Sequence, residues 1–358
     1  MNSSKIKYLI VLDSFEYKDI ESNLSSNLND LIDPIFFYSK YENKITEFFQ
    51  RTKYIGGILT HITYWLLSVT YALKLFNHKF DKVENIIFIN PIVGIFYCLF
   101  LRLFHIKKIV SIGGFLFENK QNGLYLYLRK RFVNYSYKDV KYIYVYGLKE
   151  IEYYSYIFPK LKDKFKYIKY GKDFLYKKKK DFKFNKPYIA SGGRSNRDFD
   201  TLCEAIQLIK TDGKEIPTCI IATRPEAVTQ KMINSPVNIQ YGITLNQFGS
   251  FIEHSQIFII PLLNTEISAG HMVMMEVMAH EIPIIVTDIP AIRNYVTHEH
   301  VTFYKPNDVK DLYEKILFVL ENLRSECITT KIKKAKELYT QEFSFNSLLR
   351  RIVQQSLN

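Results

Sequence analysis

The stretch PYIASGGRSNRDFDTL, residues 187–202, decides the fold. An apolar run ends in Gly192-Gly193, Arg194 and Arg197 follow three residues apart, and a helix opens near Asp200. That is a strand, a glycine turn and a helix start, the opening of a β-α-β unit. Working outward, the same rhythm repeats. Downstream, TCIIAT (218–223), NIQYG (238–242), QIFIIP (256–261) and IPIIVTD (282–288) read as strands, with helices expected near 200–210, 245–254 and 270–280. The chain closes in helical stretches near 308–322 and 330–356. Upstream, KYLIVLD (7–13), NIIFIN (85–90), KIVSIG (108–113) and KYIYVY (141–146) alternate with helices near 57–77, 92–104, 122–136 and 148–157. Alternation of this kind predicts an α/β chain of two Rossmann-like halves, each a parallel sheet with helices on both faces. Ligands of such sheets bind beyond the carboxyl ends of the strands, so the expected site is the cleft between the halves.

Composition and missing motifs exclude several classes. With 47% apolar and 24% charged residues the chain is not disordered or low-complexity. Cys98, Cys203, Cys219 and Cys327 lie far apart with no CxxC pair, which argues against a disulfide framework or zinc site. MNSSK runs directly into a strand, so a cytoplasmic protein without a signal peptide is expected. Neither half carries G-x-G-x-x-G or G-x-x-x-x-G-K-[ST] after its first strand, which removes dinucleotide dehydrogenases and P-loop NTPases. No helix-turn-helix, RRM or zinc-finger signature supports a nucleic-acid partner.

The net charge of +13 is unevenly placed. Residues 1–180 hold 30 Lys and Arg against 16 Asp and Glu, whereas the remainder holds 19 against 20. A basic half suggests an anionic partner, with compositional bias toward Lys and Tyr as the plain alternative. The uncharged stretches Tyr54–Leu73 and Asn85–Leu101 approach membrane-spanning length. The first is rich in hydroxyls and the second is broken by Asn90-Pro91, so both read as buried or interfacial helices. Lys107, Lys108, Arg129, Lys130 and Arg131 flank them, a pattern suited to docking on anionic lipid headgroups. The lysine-rich 171–186 reads as a solvated linker.

Two stretches carry chemistry. In 191–202, glycines permit close backbone approach and the arginines suit bidentate contact with a diphosphate; an ordinary βα turn with solvated arginines is the alternative. In 264–290, Ser268-Ala269-Gly270-His271 marks a helix start, where free N–H groups favour phosphate. Glu276 stands alone on a helix of Met, Val and Ala, either as a ligand group or on an exposed face.

Together these stretches resemble family 4 glycosyltransferases, retaining nucleotide-sugar enzymes of the GT-B fold, most clearly over 187–300. The family's G-R-x-x-x-x-K-G-x-D-x-L-x-x-A block is similar to Gly193-Arg194 through Ala205, shortened by two residues, with Arg194 at the Arg position and Arg197 at the Lys position. Its E-A-M-A-x-G-x-P-V-I-x-T-D block is similar to Glu276 through Asp288. Ser268 stands where the first Glu of E-x7-E belongs, with Glu266 two residues upstream; Glu281 replaces the Gly before Pro283. A central N-terminal strand that often precedes a family His is here followed by Gly113 and Gly114.

The resemblance implies two Rossmann-like domains facing across a cleft. They would be an acceptor domain (1–170) and a nucleotide-sugar domain (187–335), with the final helix (336–358) packing back on the first. It implies Arg194 and Arg197 on the donor diphosphate and Glu276 on the ribose. Gly192, Gly193, Glu266, Ser268, Ala269, Gly270, His271 and Met272 would line the donor, and Gly113 and Gly114 the acceptor side. The implied reaction is retaining transfer from a nucleoside diphosphate sugar, UDP before GDP, to a glycan or polyprenyl-pyrophosphate-linked glycan. It would serve surface polysaccharide synthesis at the inner membrane face, with no cofactor and no required metal. A non-catalytic nucleotide- or glycan-binding protein and a GT-B nucleotide-sugar epimerase are the alternatives.

Overall fold

The computed structural model describes residues 5–13, 20–39, 56–76, 80, 82–115, 117, 123–174, 187–193, 195–243, 245–263 and 267–358. The chain divides into two compact units, residues 1–168 with 349–358, and residues 169–348. The division falls at 168/169 rather than after 170, and only 349–358, not all of 336–358, join the first unit.

The first unit runs β1 (Lys7–Leu12), α1 (Glu21–Leu28), β2 (Asp33–Tyr38), α2 (Gly56–Lys74), β3 (Asn85–Phe88), α3 (Pro91–Leu103), β4 (Ile109–Ile112), α4 (Leu124–Ser136), β5 (Tyr142–Val145), α5 (Leu148–Ile157) and β6 (Phe165–Tyr167). Its parallel sheet has the order β2-β1-β3-β4-β5-β6. Asn90 ends the β3 segment and caps α3, its Oδ1 accepting from the N–H groups of Ile92 (3.1 Å) and Val93 (3.3 Å), with Pro91 at the first helical position. Proline suits that position because its missing N–H would be unpaired there anyway.

The second unit runs β7 (Tyr188–Gly192), α6 (Phe199–Thr211), β8 (Thr218–Ala222), α7 (Gln230–Ile233), β9 (Val237–Gln240), α8 (Leu245–Glu253), β10 (Ile257–Ile260), α9 (His271–Ala279), β11 (Ile284–Thr287), α10 (Pro290–Arg293), β12 (Thr302–Tyr304), α11 (Val309–Glu321), α12 (Glu326–Glu342) and the first turn of α13 (Phe345–Leu357), whose residues from Leu349 onward belong to the first unit. Its six parallel strands have the order β12-β11-β10-β7-β8-β9. Every residue of β7 and β10 is buried, as expected of central parallel strands covered on both faces. Alternate side chains divide between two cores: Tyr188, Ala190, Phe258 and Ile260 on one face, Ile189, Ile257 and Ile259 on the other.

Of the lysine-rich stretch expected as a solvated linker, 175–186 lie outside the described residues. Residues 171–174 pack on the second unit, with Lys172 N–H donating to Phe343 O (2.8 Å) and the Phe174 ring beside Tyr339. The helix expected over 330–356 is two helices, because Phe343 turns into the core and Ser344 Oγ accepts from Ser347 N–H at 3.1 Å. The last residues of α13 are tied into the first unit by Tyr144 OH against Ser356 Oγ (2.9 Å) and by the two-pronged Arg350–Asp30 pair (2.8 and 2.5 Å). Cys98, Cys203 and Cys219 are buried and free, and no group of three or more metal-binding side chains exists among the described residues. No helix among them is long and apolar enough to cross a membrane.

Candidate active site

In the second sheet the chain leaves β7 toward β8 on one side and reaches β10 on the other. The carboxyl ends of these two adjacent strands are therefore its topological switch point, where helices diverge and leave space for a ligand. The loops after β7 and β10 carry the stretches singled out from the sequence.

After β7, Gly192 is buried with Phe248 of α8 packed so close that a Cβ would approach its Cε2 to 2.9 Å. Gly193 follows at φ +127°, and Thr223 Oγ1 lies 3.4 Å from its carbonyl. The chain then doubles back. Arg197 forms an antiparallel bridge with Leu262 after β10, Leu263 N–H donates to Asn196 O (3.1 Å), and Asp198 N–H donates to Pro261 O (3.2 Å). Asp198 caps α6, accepting from Thr201 N–H (3.2 Å) and Thr201 Oγ1 (2.6 Å). From the other side, Thr287 Oγ1 accepts from Leu262 N–H (2.7 Å) and donates to Tyr304 OH (2.8 Å). The two loops are thus sewn together at Arg197 and Leu262.

The Arg197 guanidinium folds over Gly193, donating from Nε to Gly192 O (3.0 Å) and from Nη1 to Ser195 O (2.8 Å). Among the described residues it has no carboxylate partner. Burial pulls its pKa down to about 10, still far above neutrality, so the cation persists in a poorly solvated setting.

After β10 the chain reaches α9 through Gly270, whose left-handed φ of +82° forms the helix N-cap without any side-chain cap. By contrast α6, α7, α11 and α12 are capped by Asp198, Thr229, Asp308 and Ser325. An uncapped helix start presents N–H groups and the positive end of the dipole to whatever lies before it. His271 opens α9, buried against the Tyr295 ring (4.2 Å), with Nε2 donating to Ala291 O (3.1 Å). Burial first, then the nearby Arg197 charge, hold its pKa down to about 4, so the imidazole is neutral at neutral pH. Leu262, the bridge partner of Arg197, packs its side chain against Gly270 at the start of α9, which sets the Arg197 loop beside that helix end.

The structure therefore brings together Gly192, Gly193, Arg197, Gly270 and His271. Ala269 is buried, Ser268 half-buried and Met272 exposed beside them. Arg194 and Glu266 lie outside the described residues. Glu276 is 8% exposed, which removes the exposed-face reading; it lies five residues into α9 and close enough to Tyr339 to raise that phenol, after burial and Asp173. In the first unit Gly113 N–H donates to Phe88 O (2.6 Å), and Gly114 lies under the Tyr146 hydroxyl. Sequence reasoning missed Asp198, Thr287 and Tyr304, which position the Arg197 loop; only the D-F-D-T run, a capping pattern, signalled the first of them.

Residues 186–322 match the family model of the glycosyl transferases, group 1. The matched stretch runs from β7 to α11 and contains the switch point. Three solved structures share the fold over almost the whole chain. A glycosyltransferase from Rickettsia africae is 14% identical, with 99% of this chain and 100% of that one covered at a TM-score of 0.61. Sucrose-phosphate synthase from Thermosynechococcus elongatus is 12% identical (98% and 97% covered, TM-score 0.60). Anabaena HepE in complex with UDP-glucose is 10% identical (98% and 99% covered, TM-score 0.61). The fold is GT-B. No curated protein matches the sequence.

Proposed function

We propose that the protein is a retaining glycosyltransferase that moves a sugar from a nucleoside diphosphate sugar to a glycan or lipid-linked glycan. The observation that carries this reading is the poorly solvated Arg197 cation, held by two carbonyls at the β7/β10 switch point beside the uncapped start of α9. Group 1 glycosyl transferase similarity over 186–322 supports it, and UDP-glucose bound to HepE favours UDP over GDP.

In this reading Arg197, Arg194 and the first N–H groups of α9 bind the diphosphate, and Glu276 accepts from the ribose hydroxyls. Negative charge grows on the departing diphosphate oxygen as the glycosidic bond breaks. Preorganised donors aimed at that oxygen stabilise the transition state more than the ground state. The acceptor hydroxyl passes its proton to the leaving diphosphate on the same face, so no separate base and no metal is required. The basic first unit binds the acceptor, a pyrophosphate-bearing lipid-linked glycan of surface polysaccharide synthesis, at the inner membrane face.

Ser268 in place of a motif glutamate favours a second reading, a nucleotide-binding protein without turnover. Thermal-shift titration with UDP, GDP, CMP and NAD tests the site. UDP is expected to raise Tm, less so in Arg197→Ala and Glu276→Ala; no response to any nucleotide would overturn the reading. Glycosyl transfer to an acceptor then separates enzyme from binder.

A further inference from the structure

Thirteen of the 22 exposed large apolar side chains among the described residues fall between Ile62 and Tyr135. They are not scattered. In the first sheet α2 packs on α3, and α3 on α4. Trp65 of α2 spans the group, its ring 5.7 Å from Phe96 of α3 and stacked 6.3 Å from Phe132 of α4. Ile62 and Leu66 lie one turn apart on the outer side of α2, and Leu124 and Leu128 one turn apart on that of α4, all half or more exposed.

The charge on these helices has one sign. α2, α3 and α4 carry Lys74, Arg102, Arg129, Lys130 and Arg131, and no Asp or Glu. Arg102 is spoken for by Asp139 at 3.1 Å. Arg129 lies over the Phe117 ring at 4.2 Å, and Arg131 donates to Tyr127 OH at 2.8 Å. Exposed aliphatic side chains interleaved with cations, on helices lying side by side, match an anionic lipid surface. Apolar groups sink to the headgroup boundary while Lys and Arg meet the phosphates. A second copy of the chain is the poorer occupant, because a two-fold contact would press this cationic set against itself.

We propose that the α2–α4 face docks on an anionic bilayer, with Ile62, Trp65, Leu66, Leu124 and Leu128 at the headgroup boundary and Arg129, Lys130 and Arg131 against lipid phosphates. This deepens the membrane placement in the reading above by naming the surface.

Trp65 is the sole tryptophan, so its emission reports on this face alone. The full chain is titrated with phosphatidylglycerol–phosphatidylcholine vesicles and with pure phosphatidylcholine vesicles. A blue shift is expected with the first and not the second, weakened by salt. Replacing Arg129, Lys130 and Arg131 by Ala is expected to weaken binding about fivefold per charge, roughly a hundredfold together. Leu66→Glu with Leu128→Glu is expected to abolish it. No shift with anionic vesicles, or undiminished binding by both variants, overturns the proposal. A blue shift that follows protein concentration without vesicles overturns it in favour of a second copy. Both variants should keep the UDP response of the wild type. Vesicle binding by a wild type that ignores UDP would sink the glycosyltransferase reading and leave the docking face standing.

Discussion

Arg197 Nε donates to the carbonyl oxygen of Gly192 across 3.0 Å, turning the side chain back over the end of the strand that precedes it. With Nη1 on Ser195 O, two of five N–H groups are committed to backbone, and among the described residues no carboxylate meets the rest of the fork. A poorly solvated cation that meets no carboxylate among the described residues costs stability, so the folded protein without ligand gains little from it. Arg197→Ala should therefore leave the nucleotide-free Tm unchanged or slightly higher while weakening UDP binding by about 1.5–3 kcal/mol. Arg197→Lys should recover only part, because an ammonium cannot reach both carbonyls and offers no planar fork. Calorimetric titration with UDP decides; equal affinity in all three proteins would remove Arg197 from the site.

Gly193 makes this geometry possible. Its φ of +127° is hostile to any Cβ, and a Cβ there would overlap the Arg197 guanidinium. Gly193→Ala should cost about 1–3 kcal/mol of stability and also displace the guanidinium, so UDP binding falls with it. Gly213 is the comparison, at φ +67° with open space around it. Gly213→Ala should lower Tm by a smaller amount and leave the UDP response intact. Loss of UDP binding in both would mean that the effect is global.

The sequence made the sheet centres legible and hid all their edges but β9, read as NIQYG at 238–242. β1, β3, β4 and β5, and β7, β8, β10 and β11, are central strands whose continuous apolar runs announced them. β2, β6 and β12 were missed, and each is an edge strand with one neighbour. β2 opens with Asp33-Pro34, which reads as a turn but is tolerated where only one side is paired. β6 and β12 have three residues each, too few for a period to register. The break between α12 and α13 has no Gly or Pro to mark it; burial of Phe343 makes it. At the site, residue types and spacing pointed to Arg197 and the start of α9. The carbonyls that hold Arg197 are near neighbours in sequence, but its bridge to Leu262 and the brace from Thr287 behind that loop join distant segments and could not be read locally.

His271 couples the site to pH. Its imidazole binds a proton near its ordinary 6.5 when unfolded and only near about 4 when folded, because burial beside Tyr295 and Arg197 disfavours the cation. Protons therefore favour the unfolded chain. The contribution is fully present above pH 6.5, falls by about 1.4 kcal/mol per pH unit below it, and is lost by about pH 4, roughly 3 kcal/mol in all. His271→Gln retains a donor for Ala291 O and cannot titrate. Urea unfolding across that window should show a shallower pH dependence in the variant, by about one proton. Identical slopes would mean that His271 is already protonated or already solvated in the fold.

Glu281 stands where the related sequence block has glycine, and its backbone has kept the glycine conformation, with φ +59°. Its N–H donates to Met278 O (3.2 Å) and that of Ile282 to Val277 O (3.4 Å), the bond pair that closes a helix through a left-handed residue. A side chain there costs about 1–2 kcal/mol relative to an unstrained backbone. The Glu281 carboxylate lies 3.3 Å from Lys336, but at 59% exposed the pair is screened and worth under about 1 kcal/mol. Lys336 also holds Ala279 O at 2.6 Å, a contact that survives loss of the carboxylate. Strain relief thus outweighs the lost ion pair, and Glu281→Gly should raise Tm by about 2–4 °C, more at high salt where the pair is already screened. A fall in Tm that salt abolishes would show instead that the Glu281–Lys336 pair is what holds the end of α9.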